Sequence, residues 1–527
     1  MTRINNPAQK IILFIPPAYE RDIPPLGTPA LIAFLKGKGF PAQQRDLNLL
    51  YFDYIKNRLE TLFSEEYRDE KIKKKVYYHS ALRYQKARGN VAYWFEHNPG
   101  SSFAFTEKIL SSPVLFRYLA DAEENPFVSF FIRRVLPLIK KGSYPIVGFS
   151  ITAPSQVIAT FTFCSLLKRE LPQVKIVIGG QWVSFYREAL RKRRDFQRLF
   201  DFMIYFEGET PLASLLQALR DNQPLLNVPN LIYHENGRWK ESKKKSDEDM
   251  NHLPPPDFSG LPVKEYLNSK DGVNLTIETS RGCYWNKCIF CIDLPLPKPK
   301  YREKSPGLVI RDIKTLVSRY GVKHLFVSNA TFSPWQMREV SELILREKIN
   351  ISWWTMARFE DDFDRETMTL AKAAGCTMIG FGLESINQRV LDFIKKGTRR
   401  EVIERIVRDA HELKLPVYFQ TMFGIPSERV EEALETIEFL TATQEPRDGS
   451  PAFNTYYLIP KNAVFLNPEK YGIEIMPHER LPFRYFYPFR HKAGNINQTM
   501  SAKLAGLYHS LIARRNVSPM PSGSIIA

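Results

Sequence analysis

The 527-residue sequence has no apolar run near the roughly 18 residues that a membrane-spanning helix needs. It also lacks a secretory pattern: MTRINNPAQKIILFIPPAYE carries its charges late and meets Pro16 and Pro17 after a very short apolar stretch. These two absences set the expectation of a cytoplasmic protein without a membrane partner. Cysteine is scarce, with five in the whole chain, and so few cannot staple a chain of this size with disulfides. No helix-turn-helix or RNP-like pattern is evident. The excess of Lys plus Arg (74) over Asp plus Glu (57) suits nucleic acid, an acidic protein or an anionic cofactor, and its sign alone does not choose among them. Most basic residues are scattered or sit in short runs, as at 70–75 and 243–245, that read as solvated surface, so nucleic acid is not the expected partner.

What remains is an ordinary globular composition, 44% apolar and 25% charged. At about 150 residues per domain the length allows three to four domains. The chain opens with a strand (IILFI), a proline-rich loop, a helix (TPALIAFLKGKG) and a second strand near Ala42 to Leu47. Residues 48–141 show helical and aromatic character without comparable strand signals, and read as an insertion. Alternation then resumes: strand Tyr144 to Ser150, a helix from Ser155 to Leu171, strand Val174 to Gly180, a further helix, and strand Asp201 to Glu209. Strands apolar throughout and separated by helices predict an α/β fold, here a doubly wound, Rossmann-like parallel sheet. Ligands of such sheets sit beyond the carboxyl ends of the strands, which are occupied here by Pro16, Pro17, Ser150, Thr152, Gly179, Gly180, Glu207, Gly208, Glu209 and Thr210.

A hairpin-like stretch, LIYHENGRWKES, and the proline-rich NHLPPPDFSGLPVKEYL follow, so a domain boundary is expected near residue 250. Beyond it a second series of strands begins: NLTIETS, then Val322 to Ser328, Ile349 to Thr355, Cys376 to Gly382 and Pro416 to Gly424. So many parallel strands predict a full or partial (β/α) barrel with chemistry at the C-terminal strand ends. The expected organisation is 1–250 as the first domain, with the insertion at about 50–140, then 251–448 as the partial barrel and 449–527 as a C-terminal extension with a helix from Thr499 to Arg514. Aromatic residues of the insertion and the extension (Tyr93, Trp94, Phe95; Phe483, Tyr485, Phe486) are candidates to line a substrate cavity, with core packing as the plainer reading.

Three of the five cysteines crowd into ETSRGCYWNKCIFC, directly after the first strand of the second series, with the spacing C-x4-C-x2-C at Cys283, Cys288 and Cys291. A structural zinc ion needs four protein ligands, and the other cysteines and the histidines are remote in sequence. Three neighbouring soft donors better suit an iron–sulfur cluster with one iron left open. A zinc site completed by distant residues and a trio of buried structural thiols are the alternatives. Cys164 and Cys376 fall in apolar helix and strand patterns and read as core residues.

This cysteine loop, with Phe290 immediately before the last cysteine, resembles that of the radical S-adenosylmethionine (SAM) enzymes, although their common spacing is C-x3-C-x2-C. IGFGLESINQRVLDFIKKGT is similar to the family's fourth-strand segment, which implies Glu384 and Ser385 near the SAM ribose or amino-acid end. FGIPSE is similar to the fifth-strand turn, which implies Gly424 close to the adenosine. Arg358, after strand three, would pair its guanidinium fork with the SAM carboxylate. At strand two the family often has a Gly-Gly-Glu-like turn, and here Ser328-Asn329-Ala330-Thr331 stands instead. PPLGTPALIAFLKGKGF, VGFSITAPSQ, VIGGQWVSF and YFEGETPL resemble the cobalamin-binding domain of one large subclass, and LPPPDFSGLPVKEYL resembles its linker. Together the resemblance covers roughly residues 10 to 445, excluding the insertion. No Asp-x-His-x-x-Gly follows the first strand, which implies a cobalamin tail tucked into the sheet without a histidine on cobalt.

The resemblance implies three cofactors: a [4Fe-4S] cluster, S-adenosyl-L-methionine and cobalamin. It implies reductive cleavage of SAM to a 5′-deoxyadenosyl radical, hydrogen abstraction from an unactivated carbon, and methyl transfer to that carbon from methylcobalamin. The expected partners are a peptide or small-molecule natural product and an electron donor such as flavodoxin or ferredoxin. Competing functions are rearrangement or cyclisation without methyl transfer, a first domain that only scaffolds, and a basic nucleic-acid-binding protein with a structural metal.

Overall fold

In the computed structural model of the chain the described residues are 10–17, 19, 22–54, 108–123, 125–269, 271–291, 300–478, 481–492 and 496–513. They fall into two compact units, Met1–Pro262 with Arg480–Arg484, and Val263–Glu479 with Tyr485–Ala527. Among them no helix is long and apolar enough to cross a membrane.

The first unit is built on a seven-stranded sheet, in the order β2 (Ala42–Asp46), β1 (Ile11–Ile15), β3 (Ile146–Ser150), β4 (Lys175–Gly179), β5 (Phe202–Ile204), β6 (Leu231–Glu235), β7 (Arg238–Glu241). The first five are parallel, and the hairpin β6–β7 closes the edge antiparallel. Helices α1 (Gly27–Gly37), α2 (Val157–Glu170), α3 (Gln181–Lys192) and α4 (Glu209–Asp221) connect the strands. Every residue of IILFI is buried, as expected of a strand covered on both faces. Because β1 pairs with β2 on one side and with β3 on the other, the strand order reverses between β1 and β3, and a doubly wound sheet opens its ligand crevice at such a reversal.

The expected strand to Glu209 is shorter, ending at Ile204, because Phe206 turns into the left-handed region (φ 65°). The proline-rich stretch after residue 250 packs onto this unit. Leu253 joins its core, the amide of Asp257 donates to Pro29 O (3.0 Å), and Gln44 donates to the carbonyls of Asp257 and Ser259 (2.7 and 3.0 Å).

Of the expected insertion, the described part is helical, with Leu115–Ala120, Pro126–Phe130 and Leu136–Gly142 joined in part by a π-turn over Phe131–Val135. Two of its aromatics are buried in the core: Phe131 stacks on Phe163 at 5.2 Å and Phe130 meets Tyr51 at the same distance. Tyr93, Trp94 and Phe95 lie outside the described residues. Phe483 is buried in the first unit, stacked between Trp182 and Phe196 at 6.0 Å from each.

The second unit carries a six-stranded, all-parallel half-barrel in the order β15 (Ala452–Thr455), β14 (Val417–Phe423), β13 (Cys376–Glu384), β12 (Ser352–Ala357), β11 (Val322–Val327), β8 (Val273–Ile277). A short ladder, β9 (Ser280–Arg281) with β10 (Arg302–Glu303), brackets the cysteine loop. Spatial order follows chain order, as right-handed β-α-β crossovers dictate. The sixth strand comes from the segment placed by sequence only in a C-terminal extension. The helix expected at Thr499 to Arg514 is α5 (Gln498–Ala513).

Candidate functional site

In the second unit the elements of interest converge at the C-terminal strand ends, where a half-barrel leaves its loops free for chemistry. β8 runs straight into the cysteine loop, whose entry is pinned from the next strand: Asn329 Oδ1 accepts from the amides of Thr279 (2.9 Å) and Ser280 (3.2 Å), and its Nδ2 donates to Thr279 Oγ1 (2.6 Å). The departure from a Gly-Gly-Glu-like turn at Ser328-Asn329 thus supplies a buried clamp on the cysteine-bearing strand.

Cys283, Cys288 and Cys291 form no disulfide and are part-exposed, unlike Cys164 and Cys376, which are buried. Burial pushes the Cys376 thiol up to about 12 and raises Cys164 as well, so both are inert core thiols. Burial also raises the Cys288 thiol, opposed by the charges of Lys396 and Arg358 and assisted by Cys283. Among the described residues no three His, Cys, Asp or Glu side chains converge as on a single ion. A cube takes each thiolate on a different iron, so its ligands do not need to meet at a point. Three soft donors on one loop, with cations facing one of them, fit such a group.

Four consecutive positions after β13 hold this loop and Arg358. Ile394 O accepts from the Ile289 amide (3.1 Å), Lys395 O from the Trp285 indole (2.8 Å), and Lys396 O from Arg358 Nη2 (2.6 Å). Gly397, at φ +69°, lies so close under Trp285 that a Cβ there would stand 1.9 Å from the ring. Tyr284 donates its hydroxyl to Glu360 and packs on Tyr301 and Trp335 (5.4 and 5.0 Å). Burial, then the facing Glu360, keeps the Tyr284 phenol protonated, and burial also raises Glu360. Phe290 faces the Lys396 ammonium at 5.9 Å, its carbonyl held by Asn462 (3.3 Å).

Arg358 is brought to this site. It is 6% exposed, yet among the described residues its Nε has no hydrogen-bond partner. A buried unpaired donor costs about 1–3 kcal/mol, which a ligand acceptor would recover. Glu384 is also present: a bulge after Gly382 turns its backbone left-handed (φ 59°), and its carboxylate takes the Lys396 ammonium at 2.9 Å. Ser385 is not. Its hydroxyl is spent inside the packing, on Thr436 Oγ1 (3.1 Å) and the Asn387 amide (3.2 Å). Sequence reasoning passed over Trp285, Lys396 and Asn329, although each lies in a quoted segment.

Gly424 (φ +83°) donates its amide to Glu428 Oε2 (2.7 Å), as does Ile425 (3.2 Å), while Oε1 is buried with no partner among the described residues. Burial pushes this carboxyl up to about 8 despite those two bonds. Because the folded value lies above the ordinary 4.5, the stabilisation is complete below about 4.5 and is lost as pH rises through about 8. This group alone should lower the unfolding free energy by up to about 1.4 kcal/mol per pH unit across that window. Glu428→Gln should remove that slope in denaturant titrations compared at about pH 5.5 and pH 7.5; an unchanged slope would mean that the carboxyl is ionised throughout.

In the first unit the strand ends are clamped to one another. Gln156, fully buried, accepts from the amides of Thr152 (2.8 Å) and Ala153 (3.0 Å) and from Thr152 Oγ1 (2.9 Å), and donates to Pro16 O (2.9 Å). It thereby ties together the loops on the two sides of the strand-order reversal. Ser150 closes the β3–β4 register opposite Gly179, and Gly180 (φ +102°) lies against the Ile151 backbone. At the start of α4, Glu248 accepts from Thr210 N and Oγ1 (both 2.8 Å) and donates its own amide to Glu207 (2.6 Å), while the Gly208 amide reaches Glu209 (3.2 Å). Burial, with Glu209 and Glu207 adding, raises the Glu248 carboxyl. Thr152, Thr210 and Glu207 are therefore committed to building these loops.

Residues 277–440 match the family model of the radical SAM superfamily. An uncharacterized methyltransferase of Pyrococcus horikoshii is 29% identical over 309 residues, 58% of this chain and 66% of its own. The anaerobic magnesium-protoporphyrin IX monomethyl ester cyclase of Synechocystis is 26% identical over 270 residues, 48% of this chain and 51% of its own. The chain thus spans half to just under two thirds of the length of these relatives. Among solved structures, the radical SAM methyltransferase TsrM of Kitasatospora setae, with cobalamin and a [4Fe-4S] cluster bound, superposes with a TM-score of 0.64 at 15% identity, covering 98% of this chain and 93% of that one. The cobalamin-dependent SAM radical enzyme OxsB, with aqua-cobalamin bound, gives 0.64 at 14%, covering 95% and 66%. At such identities the likeness is one of fold, and it extends over both units.

Proposed function

We propose that this chain, with its radical SAM match over residues 277–440, is a cobalamin-dependent radical SAM enzyme that methylates an unactivated carbon of a peptide or other natural-product substrate. The observation that carries the reading is the pairing of three part-exposed cysteines on one loop with a buried arginine whose Nε is unspent among the described residues, at the C-terminal end of a parallel half-barrel. Cys283, Cys288 and Cys291 would hold the cluster, and Arg358 the SAM carboxylate. The Glu384–Lys396 pair and the Gly424 turn would line the remainder of the SAM site. Pro16, Ser150, Thr152, Gly179, Gly180 and the 207–210 turn would frame the cobalamin tail. When bound, the cluster supplies the electron that cleaves SAM and cobalamin supplies a transferable methyl group.

The protein's own contribution is orientation and exclusion of water. Asn329 and the 394–397 segment fix the cysteine loop from two sides, and Ile289 seals its back against an apolar cluster with Val390, Ile394 and Ile425. A reductant such as flavodoxin or ferredoxin would deliver the electron.

Anaerobic reconstitution with iron, sulfide and cobalamin, followed by incubation with methyl-labelled SAM and dithionite, tests the reading. It expects two products, 5′-deoxyadenosine and S-adenosylhomocysteine, with label on the retained cobalamin. Deoxyadenosine without S-adenosylhomocysteine would favour rearrangement or cyclisation, and absence of both would end the proposal.

A further inference from the structure

The loop between the first two cysteines is one residue longer than the common family spacing, and it carries two adjacent aromatics whose polar tips are both anchored, Tyr284 on Glu360 and Trp285 on the Lys395 carbonyl. Trp285 does more than fill space. Its ring lies 4.8 Å from the Arg358 guanidinium carbon, and the next carbonyl along, that of Lys396, takes Arg358 Nη2 at 2.6 Å. Consecutive carbonyls of one turn therefore hold the indole and the guanidinium side by side, with the cation over the ring. Gly397 makes this possible, since any side chain there would occupy the volume of the indole. With Nη2 committed and one face covered, Nε is the buried donor left unspent.

We infer that Trp285, seated on Gly397, is a positioning residue that fixes the Arg358 guanidinium so that its free Nε–H meets the carboxylate of an amino-acid-bearing sulfonium cosubstrate. The inference rests on the proposed SAM reading and adds to it the device that orients the anion-binding group. It also gives the extra loop residue a purpose: the longer spacing accommodates the Tyr284–Trp285 pair between Cys283 and Cys288. An arginine free to rotate would still attract a carboxylate but would lose the pre-set geometry, so affinity should fall without loss of the cluster.

The test uses anaerobically reconstituted full chain and reads SAM binding by equilibrium dialysis, the change SAM makes in the EPR spectrum of the reduced cluster, and iron and sulfide content. Trp285→Leu should weaken SAM binding by about tenfold at unchanged iron and sulfide, whereas Trp285→Phe, which keeps a ring over the cation, should stay within about threefold. Gly397→Ala should reproduce the Leu variant, because its Cβ displaces the same ring. In an Arg358→Gln background, Trp285→Leu should add no further loss, since both changes remove one interaction. Wild-type affinity in Trp285→Leu, or losses that multiply in the double variant, would overturn the inference while leaving the SAM reading intact. If Trp285→Leu loses its cluster, Gly397→Ala and Trp285→Phe decide by the same measurements. A wild-type protein that assembles a cluster and leaves its spectrum unmoved by SAM would overturn the underlying reading itself.

Discussion

Alanine at Cys283, Cys288 or Cys291 should each lower SAM-dependent 5′-deoxyadenosine formation by at least about a thousandfold and leave the protein without the absorbance and EPR spectrum of a [4Fe-4S] cluster. The size follows from the donor set. The remaining cysteines, Cys164 and Cys376, are buried in α2 and β13, so neither can replace a lost ligand, and alanine at either should leave iron and sulfide content unchanged. Cys288 is the most informative of the three. Burial disfavours its free thiolate, and two cations, Lys396 and Arg358, oppose that penalty, an arrangement that suits a sulfur held as thiolate by iron. The fold should survive, because Ile289, Trp285 and Tyr284 anchor the loop independently of its sulfur atoms. Iron, sulfide and deoxyadenosine assays check this, and a triple alanine variant that kept the cluster spectrum would sink the assignment of the loop.

That loop was legible in the sequence because its chemistry is local: three thiols within nine consecutive positions, 283–291, behind an apolar strand. The strands were legible for a related reason. A parallel strand covered on both faces must be apolar at every position, and IILFI and IVGFS announce themselves without any knowledge of their partners. Ala452–Thr455 does not: it is a half-exposed edge strand of four residues, specified by its register against Gln420–Phe423. The proline-rich stretch after residue 250 read as a connector, since prolines punctuate; its attachment depends on Gln44 and Lys36, more than 200 residues earlier. Separations of 73 and 76 residues hid Trp285 from Arg358 and Tyr284 from Glu360. Arg358 itself could be chosen as a cation after strand three, whereas its unspent Nε becomes visible only once burial and the Lys396 carbonyl are known. Ser385 shows the converse, a plausible polar residue whose hydroxyl the fold uses for itself.

The second large effect is expected in the first unit, at Gly180. Its backbone sits at φ 102° and ψ 178°, a region essentially reserved for glycine. A Cβ there would stand 2.4 Å from the Ile151 carbonyl oxygen and 2.8 Å from its carbon and nitrogen. Ile151 cannot withdraw cheaply, because its amide donates to Gly179 O (2.8 Å) and its carbonyl accepts from Trp182 (3.1 Å), so the ends of β3 and β4 are locked backbone to backbone. Gly180→Ala should therefore cost about 3–4 kcal/mol, part from the forced dihedral and part from opening the two loops. If these strand ends hold the cobalamin tail, retention of cobalamin through gel filtration should weaken by at least about tenfold, with iron and sulfide unchanged. Gly208→Ala is the matched control at the neighbouring strand end. Its φ of −110° is open to any residue, and its Cβ would approach the flexible end of Leu31 at 3.2 Å and touch Ile204 at an ordinary 3.9 Å, so stability should change by less than about 1 kcal/mol. Cobalamin retention in Gly180→Ala equal to that of the unsubstituted protein would separate backbone closure at Ile151 from cobalamin binding and move the cobalamin assignment away from the β3–β4 loops.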